Sequence, residues 1–213
     1  MFERELPCTQ PTTTSYLTDS SDLILFDAEF TAWPGSLASN WSRPGEVREM
    51  FQWGLVHAKK TSEGKFIEVA AASIYIKTVL VPELPEYSVN LTGVTQQQLD
   101  KEGIPFKQAL ARMFEFSYQG SIPVLSYGSD RNVLAENCSL LSCSPPQFNT
   151  GFINIRPSIH AADPRTGTLS SGQLYTLVPD SGLTGHVHNA LHDVRSILAY
   201  LNYLISASQT VVR

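Results

Sequence analysis

Basic side chains are scarce in this chain. Lysine and arginine number 15 against 20 aspartates and glutamates, giving a net charge of −5. Proteins that coat long nucleic acid by charge alone rely on basic patches, so that class is excluded. An enzyme that grips one phosphate through metal ions is not. Cysteine is scarcer still, at positions Cys8, Cys138 and Cys143. An odd number without a dense framework excludes a disulfide scaffold and points to reduced thiols in a cytoplasmic setting. The Cys138/Cys143 spacing does not suit a zinc knuckle, which leaves plain buried or surface thiols. No apolar run is long enough to span a membrane. The opening M-F-E-R-E-L-P-C lacks the apolar centre of a signal peptide. No internal repeat is present.

What is there suits one globular unit. Apolar residues make up 42% of 213 positions, enough for one sizeable α/β domain with a good core. The expected organisation is a flexible leader over 1–21, a domain over 22–206 and a tail over 207–213. Strands are expected at Leu23 to Phe30, Met50 to Ala58 and Phe66 to Lys77, with a polar turn at 59–65, forming an antiparallel meander. Trp33 to Glu49 reads as a loop and 81–87 as an extended, proline-broken connector. Thr95 is a candidate N-cap for a short helix through Leu99. Phe106 to Tyr118 has apolar residues at helical spacing. A strand at Ile122 to Tyr127 leads to a helix from Asp130 to about Leu141. A strand at Phe152 to Ile155, a helix near Ser171 to Val178 and a last helix from His188 to about Ser206 follow. This second half alternates strand and helix, which predicts parallel pairing.

The first strand, L-I-L-F-D-A-E-F, carries two acids near its far end. Residues two apart on a strand share a face, so Asp27 and Glu29 project together and Ala28 points the other way. Paired anions suit an oxygen-loving divalent ion such as Mg²⁺ or Mn²⁺; two solvated acids are the plain alternative. Asp130 follows an apolar strand and opens a helix, as a cap or as a site residue. The last helix holds H-N-A-L-H-D, residues 188–193. His188 and Asp193 differ by about 140° around a helix and do not stack. Both reach one centre if His188 sits at the helix start and Asp193 faces the sheet. Ala190 permits close packing there. Trp33 and Trp41, with Arg43 and Arg48, either contact bases and phosphates or anchor the loop.

In order, D-A-E, an aspartate after a middle strand, and H-x-A-x-x-D resemble the DEDDh family of 3′–5′ exonucleases, the DnaQ-like group. L-T-G-V-T at 91–95 resembles that family's I-T-G-I-T segment. The likeness spans about 22–206. F-D-A-E-F-T-A-W also resembles RNA-trimming members with an aromatic near this point. Phe30 departs from the usual threonine, and 34–49 is longer than in compact members.

The resemblance implies a ribonuclease H-like α/β fold. Its mixed central sheet would be an antiparallel meander, then parallel strands, flanked by helices. It implies two divalent metal ions, Mg²⁺ or Mn²⁺, roughly 4 Å apart. Asp27 would bridge them, Glu29 and Asp193 would complete one shell, and Asp130 would hold the second ion. His188 would be the general base. Ala28, Phe30, Trp33, Leu91, Thr92 and Gly93 would contact the terminal nucleotide; core packing is the alternative for Leu91. The substrate would be a single-stranded 3′ end of RNA or DNA, releasing nucleoside monophosphates, with no membrane partner.

Three other readings stand beside this one. His186, His188, His192 and Asp193 form a zinc-like H-x-H-x-x-x-H-D, which leaves the other acids unexplained; otherwise His186 is a loop residue and His192 faces solvent. The fold can also serve as a non-catalytic nucleic-acid- or partner-binding module, or as one subunit of a larger assembly.

Overall fold

The computed structural model describes residues 19–149 and 151–210. Most of the expected leader, Cys8 and the last three residues lie outside these. A five-stranded sheet runs β3-β2-β1-β4-β5. Its strands are β1 (Asp22–Phe30), β2 (Met50–Lys60), β3 (Phe66–Tyr75), β4 (Val124–Ser126) and β5 (Phe152–Asn154). β1 to β3 form the antiparallel meander. β4 pairs parallel with β1, and β5 with β4.

The alternation of β1 divides the core. Ile24, Phe26 and Ala28 pack on one face with Trp53, Phe106 and Met113, among others. Helices α4 (Phe106–Phe116) and α5 (Asp130–Leu140) contribute to that layer. Leu23 and Leu25 pack on the other face against Val194, Ile197 and Leu201 of the last helix, α7 (Ala190–Thr210). Asp27 and Glu29 continue the odd-numbered register of Leu23 and Leu25. They therefore emerge under the start of α7.

Several elements differ from the sequence expectation. The loop after β1 contains a single turn, α1 (Ser36–Ser39). Lys59 and Lys60 belong to β2, which narrows the hairpin turn. The connector near 81–87 gives way to a helix, α2 (Glu86–Thr92), capped by Pro85. Proline is tolerated at a helix start because the N–H it lacks has no partner there. α2 ends at Gly93, whose φ of 74° favours glycine. Thr95 then caps α3 (Gln96–Glu102), with Gln98 completing a reciprocal capping box. Another short helix, α6 (Arg156–Ala162), carries proline in its first turn. The segment Ser171–Leu177 is a 3₁₀ helix. α7 begins after His188 and runs past Ser206.

One close approach locks α7 to the sheet. A Cβ at Gly54 would stand 2.2 Å from the Ala190 carbonyl, and Gly54 pairs with Asp27 across β1 and β2. Gly54→Val is therefore expected to destabilise the fold by about 1–3 kcal/mol through overpacking. A thermal melt checks this; a midpoint within a degree or so of wild type would contradict the packing.

Candidate metal centre

Four carboxylates and one imidazole meet at the end of β1. Asp27 is 5% exposed, Glu29 8%, Asp130 7% and Asp193 1%. α7 brings Asp193 because Ala190 fits against Gly54 and donates its N–H to Gln52 Oε1 at 3.2 Å. Gln52 is itself the β2 partner of Glu29. The Asp193 carboxylate accepts from Ser171 Oγ at 3.0 Å and from the His188 N–H at 3.1 Å. The 3₁₀ segment presses on it so closely that a Cβ at Gly172 would lie 2.2 Å from Asp193 Oδ1.

His188 lies outside the helix, with φ at 68°. The angular mismatch with Asp193 thereby disappears, because the turn swings the imidazole back over the helix start. Glu29, His188 and Asp193 each offer a ligand atom within 4.8 Å of the others.

Asp130 is not the cap of α5; Ser129 holds that position, without a side-chain bond. β4 pairs with β1 only as far as Phe26. Beyond that point the Ala28 N–H lies on the side of Asp130 and favours the charged form of its carboxylate. The strand that carries Asp27 and Glu29 thus also favours the charge on the third acid.

The electrostatics are one-sided. Burial first, then Asp193, Asp130 and Glu29, push Asp27 well above the usual carboxylate range. Burial, then Asp193 and Asp130, do the same for Glu29. Burial pushes Asp130 up to about 6 and Asp193 up to about 7, against hydrogen bonds that favour the charged forms. Ion pairs such as Arg48–Glu136, Arg165–Asp163 and Arg195–Glu68 lie elsewhere. Buried anions without a basic partner need protons or cations. An oxygen-rich donor set with uncompensated negative charge fits hard divalent ions such as Mg²⁺ or Mn²⁺. Asp27, Glu29, Asp130 and Asp193 would hold them.

The surroundings are mixed. Trp41 anchors its loop: Nε1 donates to the Thr31 carbonyl at 2.8 Å, and its ring meets Phe30 edge-on at 5.3 Å. Trp33 is half-buried and lines an open depression of about 600 Å³ with Arg43 and Glu46. Ser88 of α2 exchanges hydrogen bonds with the Ala32 backbone at 2.9 and 3.0 Å, which ties the Leu91–Gly93 segment to the exit of β1. Leu91 is half-buried, Thr92 is buried and Gly93 is exposed.

The four-residue zinc arrangement is not assembled. His186 is an exposed loop residue that donates Nε2–H to the Leu91 carbonyl at 2.9 Å. His192 is not solvent-facing: it is buried, edge-on to Tyr175 at 5.4 Å. The turn before α7 and the 3₁₀ segment close over it. Only His188 and Asp193 of that set join the centre, alongside Glu29. Sequence reasoning did not identify Gln52, Gly54, Ser171 or Gly172. Their residue types carry no chemical signature, and only the tertiary approach of α7 gives them a role.

Without divalent ions, the raised carboxylates make the folded state hold more protons than the unfolded chain. Their contribution to stability is present below about pH 4, the unfolded carboxylate range. It is lost as pH rises through about 6 for Asp130 and about 7 for Asp193. The Tm of chelator-treated protein should fall between about pH 4.5 and 7.5. Mn²⁺ at about 100 times its Kd should then raise it by roughly 5–10 °C at the upper pH. A Tm that rises over that window, or that ignores Mn²⁺, would contradict the centre.

No protein-family model matches the chain, and no curated protein does. Solved structures do. The nuclease domain of 3′hExo, a DEDDh family member bound to rAMP, superposes with a TM-score of 0.73 at 22% identity, covering 89% of this chain and 94% of that one. Cell-death related nuclease 4 (CRN-4) gives 0.68 at 19%, covering 88% and 64%. The zinc-bound E. coli ExoI–ssDNA complex gives 0.64 at 17%, covering 90% and 42%. At these identities the likeness establishes architecture, and the chain has the ribonuclease H-like fold of the DEDDh 3′-exonucleases.

Proposed function

We propose that this protein is a metal-dependent 3′–5′ exonuclease that removes nucleoside monophosphates from single-stranded 3′ ends. The observation that carries this reading is the meeting of four buried carboxylates, none paired with a lysine or arginine among the described residues, with His188. The shared fold supports it, since the similar structures are of 3′-exonucleases and other nucleases.

Bound divalent ions would activate the attacking water and neutralise charge on the phosphate. Asp27 would serve both ions, Glu29 and Asp193 one, and Asp130 the other. Ser171 and the His188 N–H orient the Asp193 carboxylate. A His188 ring nitrogen accepts the proton of the attacking water. Burial, then His186, hold this imidazole below the usual histidine range, so it is neutral and able to accept at neutral pH. Leu91, Thr92 and Gly93 would border the terminal nucleotide, with Ala28, Phe30 and Trp33 across from them. The catalytic domain would be 22–206, with 1–21 as leader and 207–213 as tail. Among the described residues no helix is long and apolar enough to cross a membrane. Cys138 and Cys143 are free thiols, which supports a cytoplasmic setting.

The test is a gel of 5′-labelled RNA and DNA oligomers with Mn²⁺. Wild type should give a ladder shortening from the 3′ end on at least one polymer. His188→Ala should lower the rate by about 10²- to 10⁴-fold, and Asp27→Ala should abolish the ladder. Asp27→Ala activity equal to wild type would leave only a binding role. Internal cuts would overturn the polarity. The rate should rise with pH and level off with an acid-side midpoint below about 6.5. A profile flat from acid to neutral would remove His188 as the base.

A further inference from the structure

Four arginines are matched to carboxylates: Arg43 to Glu46, Arg48 to Glu136, Arg165 to Asp163 and Arg195 to Glu68. Arg131 and Arg156 have no carboxylate partner among the described residues, and both are exposed. Both also stand where β4 and β5 end, beside the Asp130 turn. Arg131 follows Asp130 directly, and its Nη1 reaches the Phe152 carbonyl at 3.4 Å. Arg156 begins α6 just after β5. Its guanidinium lies over the Tyr127 ring at 5.3 Å, and Nη2 donates to the Gly167 carbonyl at 3.2 Å.

One side chain ties these turns together. Asn154 Oδ1 accepts from the Gly128 and Arg156 N–H groups, both at 3.0 Å. Arg156 is thereby fixed relative to the loop that delivers Asp130. A guanidinium has five N–H donors in a planar fork. Anchored by one ring face and one carbonyl, Arg156 keeps donors for an anion and loses little freedom on binding it. The charge balance makes the placement informative. A polyanion approaching a four-carboxylate centre on an acidic protein needs local positive charge. These two cations are available at the rim of the Asp130 turn.

We propose that Arg131 and Arg156 bind backbone phosphates of the substrate strand upstream of its terminal nucleotide, so that the enzyme takes oligonucleotides in preference to dinucleotides. The identity of this ligand rests on the exonuclease reading; the phosphate site itself does not require turnover. The test is fluorescence anisotropy of a 5′-fluorescein single-stranded decamer with Ca²⁺ across a salt series. Arg131→Gln and Arg156→Gln should each weaken Kd roughly tenfold. Each should also flatten the slope of log Kd against log salt by about 0.7. Arg156→Lys, which keeps the charge, should keep the slope. Arg112→Gln, an exposed arginine on α4 away from the Asp130 turn, is the surface control, and near-UV circular dichroism confirms folding. A Kd and slope equal to wild type in both glutamine variants would overturn the proposal, as would an equal loss in Arg112→Gln. If wild type cuts no oligomer yet binding depends on both arginines, the hydrolytic reading fails and the phosphate site stands.

Discussion

Mutual repulsion among buried carboxylates is the constraint that the rest of this structure accommodates. Asp27, Glu29, Asp130 and Asp193 are each nearly inaccessible; burial raises the proton affinity of all four, and neighbouring carboxylates raise it further for Asp27, Glu29 and Asp193. In an ordinary core such a group would be replaced or paired with arginine. Here no arginine or lysine pairs with any of the four among the described residues, and the positive charge must come from solution. The hydrogen bonds around Asp193 and Asp130 do not neutralise anything. They fix the direction in which each carboxylate presents its oxygens, which is what a metal centre needs from its surroundings.

The fold delivers this arrangement through a few contacts. The period of a strand puts Asp27 and Glu29 on the face that Leu23 and Leu25 bury. Gly54 and Ala190 remove the side chains that would hold α7 away. The early end of the β1–β4 ladder frees the Ala28 N–H for Asp130. Each of these is a local feature with a distant consequence. Together they explain how acids from three separated stretches come to occupy one volume.

Much of this was legible in the sequence, for physical reasons. Strand alternation fixed the shared face of Asp27 and Glu29, and the H-N-A-L-H-D run marked the helix that meets them. Thr95 was legible as a cap because threonine ahead of a helix can accept from its free N–H groups, and the structure adds Gln98 as its reciprocal partner. What escaped notice depends on tertiary contact. α2 is seven residues whose local preference is weak, yet Ser88 binds it to the backbone after β1. His192 looked like a surface residue by spacing, but the turn and the 3₁₀ segment close over it. Ser171 and Gly172 matter only because α7 packs where it does. Trp41, equally open to stacking on a base, is spent on anchoring its loop.

The account's central claim is that divalent cations neutralise this carboxylate cluster by displacing protons from it. Calorimetric titration of Mn²⁺ into the metal-free protein near pH 6.5, in two buffers of different ionisation heat, measures that exchange directly. Saturable binding whose apparent heat differs between the buffers, showing net proton release, is the predicted result. Binding with no buffer dependence, or no binding at all, would contradict it.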